Sequence, residues 1–214
     1  LDGRRLAPTV PTRPSARPEA EGTADGGTVD HVVLPLDDDH VRAVRGLVGG
    51  VIAATGLDGR AVRPEPHVTL LAYTGGDEAA VRGAVEALAS AVAPFDVHAH
   101  GYGFFSGKEA SELALHVPVV RTALLDALHR RLCAALTGAG AEVAAWCAPE
   151  LWTPHVTLVD RGLHPDTLAD AVAWLALRHH PSWQIPVDRL ALTGGWSDRD
   201  RAGHVVHLQG TTSP

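Results

Sequence analysis

Pro66–Leu70 reads PHVTL, and Pro154–Leu158 reads PHVTL again, the second histidine falling 88 residues after the first (155 − 67). In a β-strand residues i and i+2 share a face, so His67 and Thr69 point one way and Val68 and Leu70 the other. The same holds for His155 and Thr157 against Val156 and Leu158. The first copy continues as HVTLLAY, rich in β-branched and aromatic residues and bounded by Pro66 and Gly75-Gly76, which predicts a strand over His67–Tyr73. The second predicts a strand over His155–Val159. Each copy is followed by a helix: Asp77 caps one whose apolar face is Val81, Val85, Leu88 and Val92, and Pro165 opens one carrying Leu168, Val172 and Leu175.

Helices also precede the motifs. One follows Asp37–Asp39 and carries Val41, Val44, Leu47, Val48, Val51 and Ile52, with Gly46, Gly49 and Gly50 weakening it. The other spans Arg121–Thr137, with Leu125, Leu128, Leu132 and Leu136 on one face. Further strands are expected at His31–Leu36, Phe95–Phe105, Leu113–Val119, Gln184–Leu192 and His204–Gln209. A repeat of this period implies duplication of a small lobe. Hairpin-joined strands with inserted helices imply an α+β fold. The expectation is two pseudo-symmetric lobes with antiparallel sheets facing a central cleft, helices outside, and one HVT strand from each lobe in the cleft.

Two imidazoles and two hydroxyls on facing strands suit a phosphodiester. A neutral histidine can take a proton from an attacking oxygen while a protonated one gives a proton to the leaving oxygen, and an ordinary pKa of about 6.5 fits both tasks. The hydroxyls of Thr69 and Thr157 can donate to the non-bridging oxygens. A lone HVT carries little weight, because threonine is common in strands and a histidine can be satisfied in a core. Two identical copies on equivalent strands carry much more, since duplicated core positions usually drift among apolar types. Spacing alone does not say which histidine is acid and which is base.

Composition bounds the partners. The chain has 214 residues, 45% hydrophobic and 20% charged, enough for a packed core. It holds no apolar run of about 18 residues, so no membrane partner is expected. The net charge of −7 argues against wrapping a long nucleic acid, whose affinity comes mainly from Lys and Arg on phosphates, and leaves an RNA end or a small nucleotide as partner. Residues 1–29, punctuated by Pro8, Pro11, Pro14 and Pro18, read as a disordered tail, residues 30–210 as one bilobal domain, and 211–214 as a C-terminal tail. The tail has no apolar leader, and Cys133 and Cys147 make neither a zinc-like spacing nor a disulfide framework, so a cytoplasmic monomer is expected.

The paired HVT motifs about ninety residues apart resemble those of the 2H phosphoesterase superfamily. Within it, the stretch TPHVTLVDRG, the segment Gly101-Tyr102-Gly103-Phe104-Phe105 before Leu113–Val119, and the helix Arg121–Thr137 are similar to the bacterial 2′-5′ RNA ligase and RNA 2′,3′-cyclic phosphodiesterase family, over His31–Gln209. The resemblance implies a bilobal fold and metal-independent hydrolysis of a 2′,3′-cyclic phosphate to a 2′-phosphate. In some members it also implies reversible 2′-5′ RNA joining. The motif positions carry over to His67, Thr69, His155 and Thr157. By that analogy His155 is the base for water and His67 the acid to the leaving 3′ oxygen. The family's second motif is often followed by Ala-Arg; here Val159 and Asp160 stand there, with Arg161 one residue later.

Other candidates weigh less. His98 and His100 share a strand face, but no Cys, Asp or Glu pattern completes a site, and no metal or cofactor is expected. Gly101-Tyr102-Gly103 does not match a nucleotide-binding loop. Most aromatics are expected in the core, with Tyr73 and Trp152 as cleft walls able to stack a base. Arg161 and Lys108 are the candidate added cations, with Arg161 as a cleft contact. Two rival readings remain: another small cyclic phosphodiester as substrate, and a binding module that holds phosphorylated ligands without turnover.

Overall fold

The chain runs β1 (Asp30–Pro35), α1 (Asp38–Thr55), β2 (His67–Gly75), α2 (Glu78–Ser90), β3 (Phe95–His100), β4 (Gly103–Ser106), β5 (Leu113–Pro118), α3 (Ala123–Gly138), β6 (Ala141–Val143), β7 (His155–Leu163), α4 (Pro165–Ala176), β8 (Ser182–Val187), β9 (Arg189–Thr193) and β10 (His204–His207). The computed structural model describes residues 29–59, 65–106, 112–177, 180–194 and 203–211. The tail expected at 1–29 lies outside these residues apart from Val29, and so do Lys108 and Trp196. Helix starts follow the capping chemistry of the sequence. Asp37 accepts from the amides of Asp39 and His40, Asp77 from that of Ala80, and Thr122 from that of Leu125.

Antiparallel α+β architecture is what the repeat predicts. The sheets of the two halves are continuous, however. Eight strands form one sheet in the order β10-β9-β1-β2-β7-β5-β4, with β6 also on β2, while β3 and β8 make a separate two-stranded sheet. The repeating unit is β-α-β-α-β-β, first as β1 to β4 and then as β5, α3, β7, α4, β8 and β9. Its elements exchange. The last strand of the second unit, β9, pairs with β1, and β4 of the first unit pairs with β5. Likewise α1 packs on α4 and α3 on α2. The halves join where β2 meets β7, through the pair Val68↔Val156.

Two expected strands are each two. Phe95–Phe105 breaks at Gly101, whose φ of 72° turns the chain so that β3 and β4 enter different sheets. Gln184–Leu192 breaks at Asp188 into β8 and β9. Alternation of apolar and polar residues continues through both bends, so periodicity alone reads each as one strand. The segment after α3, read from sequence as loop, contains β6 and a 3₁₀ turn at Ala145–Cys147.

One irregularity matters for the site. The β1–β2 register slips between Val32 and Val33, which pair with Leu71 and Thr69. Leu70 and Leu71 are both fully buried as a result, and alternation shifts by one residue beyond them. The β5–β7 pairing repeats the slip, with His116 opposite Thr157 and Leu115 opposite Val159, so Leu158 and Val159 are both core residues. Leu70 and Leu158 thus anchor the two motif strands. Leu70→Ala is expected to lower unfolding free energy by about 2–5 kcal/mol, read as a lower urea midpoint at unchanged m-value.

Candidate active site

The register around Val68↔Val156 sets the site. In an antiparallel pair this places His67 across from Thr157 and Thr69 across from His155, all four on the face opposite the buried valines. Opposed positions have Cβ atoms about 5 Å apart and diagonal ones ~7–8 Å, so the two imidazoles sit diagonally across a block with the hydroxyls on the other diagonal. Both imidazoles are held alike. Nδ1 of His67 bonds the Glu65 carbonyl at 2.8 Å, and Nδ1 of His155 bonds the Thr153 carbonyl at 2.8 Å. A carbonyl only accepts, so Nδ1 carries the hydrogen and Nε2 is the basic nitrogen of the neutral ring. The residue between each carbonyl and its histidine is proline, Pro66 or Pro154, whose fixed φ and missing N–H suit a sharp entry into a strand.

Beyond Val68, β2 and β7 diverge, and the free edge of β2 is satisfied by other groups. Trp152 Nε1 donates to the Thr69 carbonyl at 3.1 Å. The Ala72 amide donates to Cys147 Sγ at 3.3 Å, the Ala72 carbonyl accepts from Ala144 N at 2.9 Å, and β6 pairs with Tyr73–Gly75. Trp152 is therefore a buried buttress beneath the motif strand, not a cleft wall. Its ring stacks on His129 at 3.9 Å and 2°, and the Arg121 guanidinium lies 5.6 Å from its centroid. Arg121 also donates to the Trp152 carbonyl at 3.2 Å and pairs with Asp126. Burial, reinforced by the nearby Arg121 charge, pushes the His129 pKa down to about 4, so this imidazole is neutral at physiological pH.

Two further expectations are corrected by the slips. Tyr73, offered as a cleft wall, lies past the Leu70–Leu71 bulge, opposite Asp30 and buried on the helix side. Burial, with the Asp30 and Glu78 carboxylates adding to it, raises its hydroxyl pKa to about 12. It lines a cavity of about 520 Å³ with Glu78, Arg82, Leu192 and His204, which contains none of the four motif residues. Arg161, offered as a cleft cation, would share the parity of His155 in a regular strand. The pairing with β5 slips at Leu158–Val159 and again between Val159 and Leu163, so that parity does not carry through, and Arg161 is exposed.

What the sequence reading missed is the wall beside His155. His116 lies opposite Thr157 and therefore on the motif face, 4% exposed. Its ring centroid is 5.1 Å from that of His155. Phe105 stacks on His116 at 4.0 Å and meets His155 edge-on at 4.9 Å. Gly103, opposite His116, makes room: a Cβ there would lie 2.4 Å from the His116 Nε2. A signal existed. Aligning the strands before each motif sets Val33-Leu34-Pro35 against His116-Val117-Pro118, and the histidine is the polar residue in an otherwise apolar run.

Set side by side, two imidazoles anchored through Nδ1 and two hydroxyls can exchange protons with, and donate to, a group bound between them. That is the equipment of a phosphoester-processing protein. The sequence model of the 2′-5′ RNA ligase superfamily matches residues 35–198. The chain belongs to this superfamily, within the 2H phosphoesterases that its repeated motif resembles. No curated protein matches the chain. Among solved structures it is similar to the protein TT0787 of Thermus thermophilus, at 18% identity and a TM-score of 0.61, over 86% of this chain and 100% of that one. It is also similar to a structure described as a phosphoesterase, at 16% identity and a TM-score of 0.51, over 85% and 95% of the two chains. These likenesses establish the fold.

The buttress yields two expectations. Trp152→Phe keeps the stack on His129 but leaves the Thr69 carbonyl without its donor, costing about 1–3 kcal/mol in chemical denaturation. Because the folded state holds His129 neutral down to about pH 4, the unfolded chain binds the extra proton between there and about 6.5. Stability contributed by neutral His129 is thus complete above that window and falls as pH drops through it. Thermal unfolding of His129→Phe, compared with the native chain, should lose less stability between pH 7 and pH 5.

Proposed function

We propose that the protein is a phosphodiesterase that opens a 2′,3′-cyclic phosphate to a 2′-phosphate by paired acid-base action of His67 and His155, with no metal in the reaction. One observation carries this reading: four motif side chains share one face, and each imidazole is tied through Nδ1 to the carbonyl two residues before it. With the cyclic phosphate between the rings, His155 Nε2 takes a proton from water as the water oxygen bonds to phosphorus. The bond from phosphorus to O3′ breaks, and O3′ takes the proton carried by His67 Nε2. His155 ends charged and His67 neutral, and exchange with solvent resets both. The hydroxyls of Thr69 and Thr157 donate to the non-bridging oxygens, where negative charge grows. Replacing water by an RNA 5′-hydroxyl in the same step gives a 2′-5′ linkage, the joining reaction the family resemblance brings with it.

A small cyclic nucleotide is favoured over a long RNA. The net charge of −7 disfavours an extended polyanion.

Product analysis with a 2′,3′-cyclic nucleotide tests the reading. A 2′-monophosphate should form at the same rate with and without chelator; a 3′-monophosphate, or loss of turnover with chelator, would sink it. His67→Ala and His155→Ala should each lower kcat by about 10²–10⁴-fold with circular dichroism unchanged. Thr69→Val or Thr157→Val should lower it by roughly 10²-fold.

A further inference from the structure

The pseudo-twofold repeat duplicates nearly everything about the two motifs. Each histidine follows a proline, bonds the carbonyl two residues back, and has a threonine two residues on. Such a scaffold does not by itself distinguish acid from base. The neighbours across the outer strands do. Val33 stands opposite Thr69, and His116 opposite Thr157. We propose that His116 is a positioning residue that holds back protonation of His155, leaving His155 as the base and His67 as the charged acid; this rests on the acid-base reading above.

The argument is one of proximity and burial. Two imidazolium rings with centroids 5.1 Å apart repel, so charging both rings of the His116–His155 pair together is disfavoured. Both rings are shielded from water, at 4% and 7% exposure, and desolvation disfavours their charged forms further. His67 is only partly buried and has an aliphatic Val33 on the equivalent strand, so neither penalty acts on it to the same degree. Neighbours of His155 come from several strands. β2 contributes His67 and Thr69, and β4 contributes the uncharged Phe105. On β7, Asp160 is the nearest carboxylate along the strand, five residues beyond His155 (160 − 155) and next to Val159, the partner of Leu115. Near His67, the Glu65 carboxylate is paired with Arg45 at 3.3 Å and exposed. Gly103 and Phe105 fix the His116 ring: the first gives it space and the second a stacking surface.

Proton NMR titration of the histidine rings tests this without requiring turnover. In the native protein His155 should titrate at least about one pH unit below His67. In His116→Gln the His155 midpoint should rise by about one unit, while that of His67 stays put. If a cyclic nucleotide is turned over, the acidic limb of its kcat/KM profile should move upward by the same amount, so that His116→Gln loses more activity at pH 6 than at pH 8. A uniform loss at all pH values would mark His116 as merely structural and overturn the proposal. So would a native His155 midpoint at or above that of His67, a result that needs no variant to fold. Absence of turnover with the predicted titration order would instead refute the phosphodiesterase reading and leave the electrostatic one standing.

Discussion

Pairing of Val68 with Val156 is the constraint on which the rest depends. It is where two halves of the chain become one sheet, and it sets which side chains share a face. A slip of one residue in either strand would turn one imidazole and one hydroxyl into the core and bring valine or leucine out. Burial of Val68, Leu70, Val156 and Leu158 enforces the register, because each fills the helix-side core and none can move to the polar face without exposing apolar surface. The apolar residues of the repeated pentapeptide therefore place the polar ones.

A pairing this short needs support at its margins. β2 and β7 separate at once, and the exposed edge of β2 would be left with unpaired backbone groups. The segment between α3 and β7 supplies partners one by one: the Trp152 indole, the Cys147 sulfur, the Ala144 amide, and then β6. Arg121 and His129 hold Trp152 in turn. Trp152 thus acts on the motif through its backbone, at the Thr69 carbonyl. Exchange of helices between the repeats has a similar effect. With α1 on α4 and α3 on α2, neither repeat buries its apolar faces alone, and the folded unit is the whole intertwined pair.

In the proposed reaction, symmetry and its violation divide the labour. What the repeats share is the geometry that any phosphodiester between two imidazoles requires. What they do not share is the wall: His116 and Phe105 beside His155, Val33 beside Thr69. Difference in local charge and solvation at otherwise equal sites is the physical route by which one imidazole can give a proton while its twin receives one.

Much of this was legible in the sequence. The repeated PHVTL, its strand parity and the caps at Asp37 and Asp77 determined the motif strands, the antiparallel α+β class and the side-by-side placement of each histidine with its own threonine, because these follow from local periodicity and backbone chemistry. Tertiary structure alone decided that the halves form one sheet, that Phe95–Phe105 and Gln184–Leu192 each bend into two strands, and that Tyr73 and Trp152 are buried in the core while His116 and Phe105 stand beside His155. The reason is common to all of them. Bulges at Leu70–Leu71 and Leu158–Val159 reset the two-residue period, and strand neighbours distant in the chain decide which aromatic is core and which is wall. Neither a register slip nor a long-range pairing leaves a local mark in the order of residues.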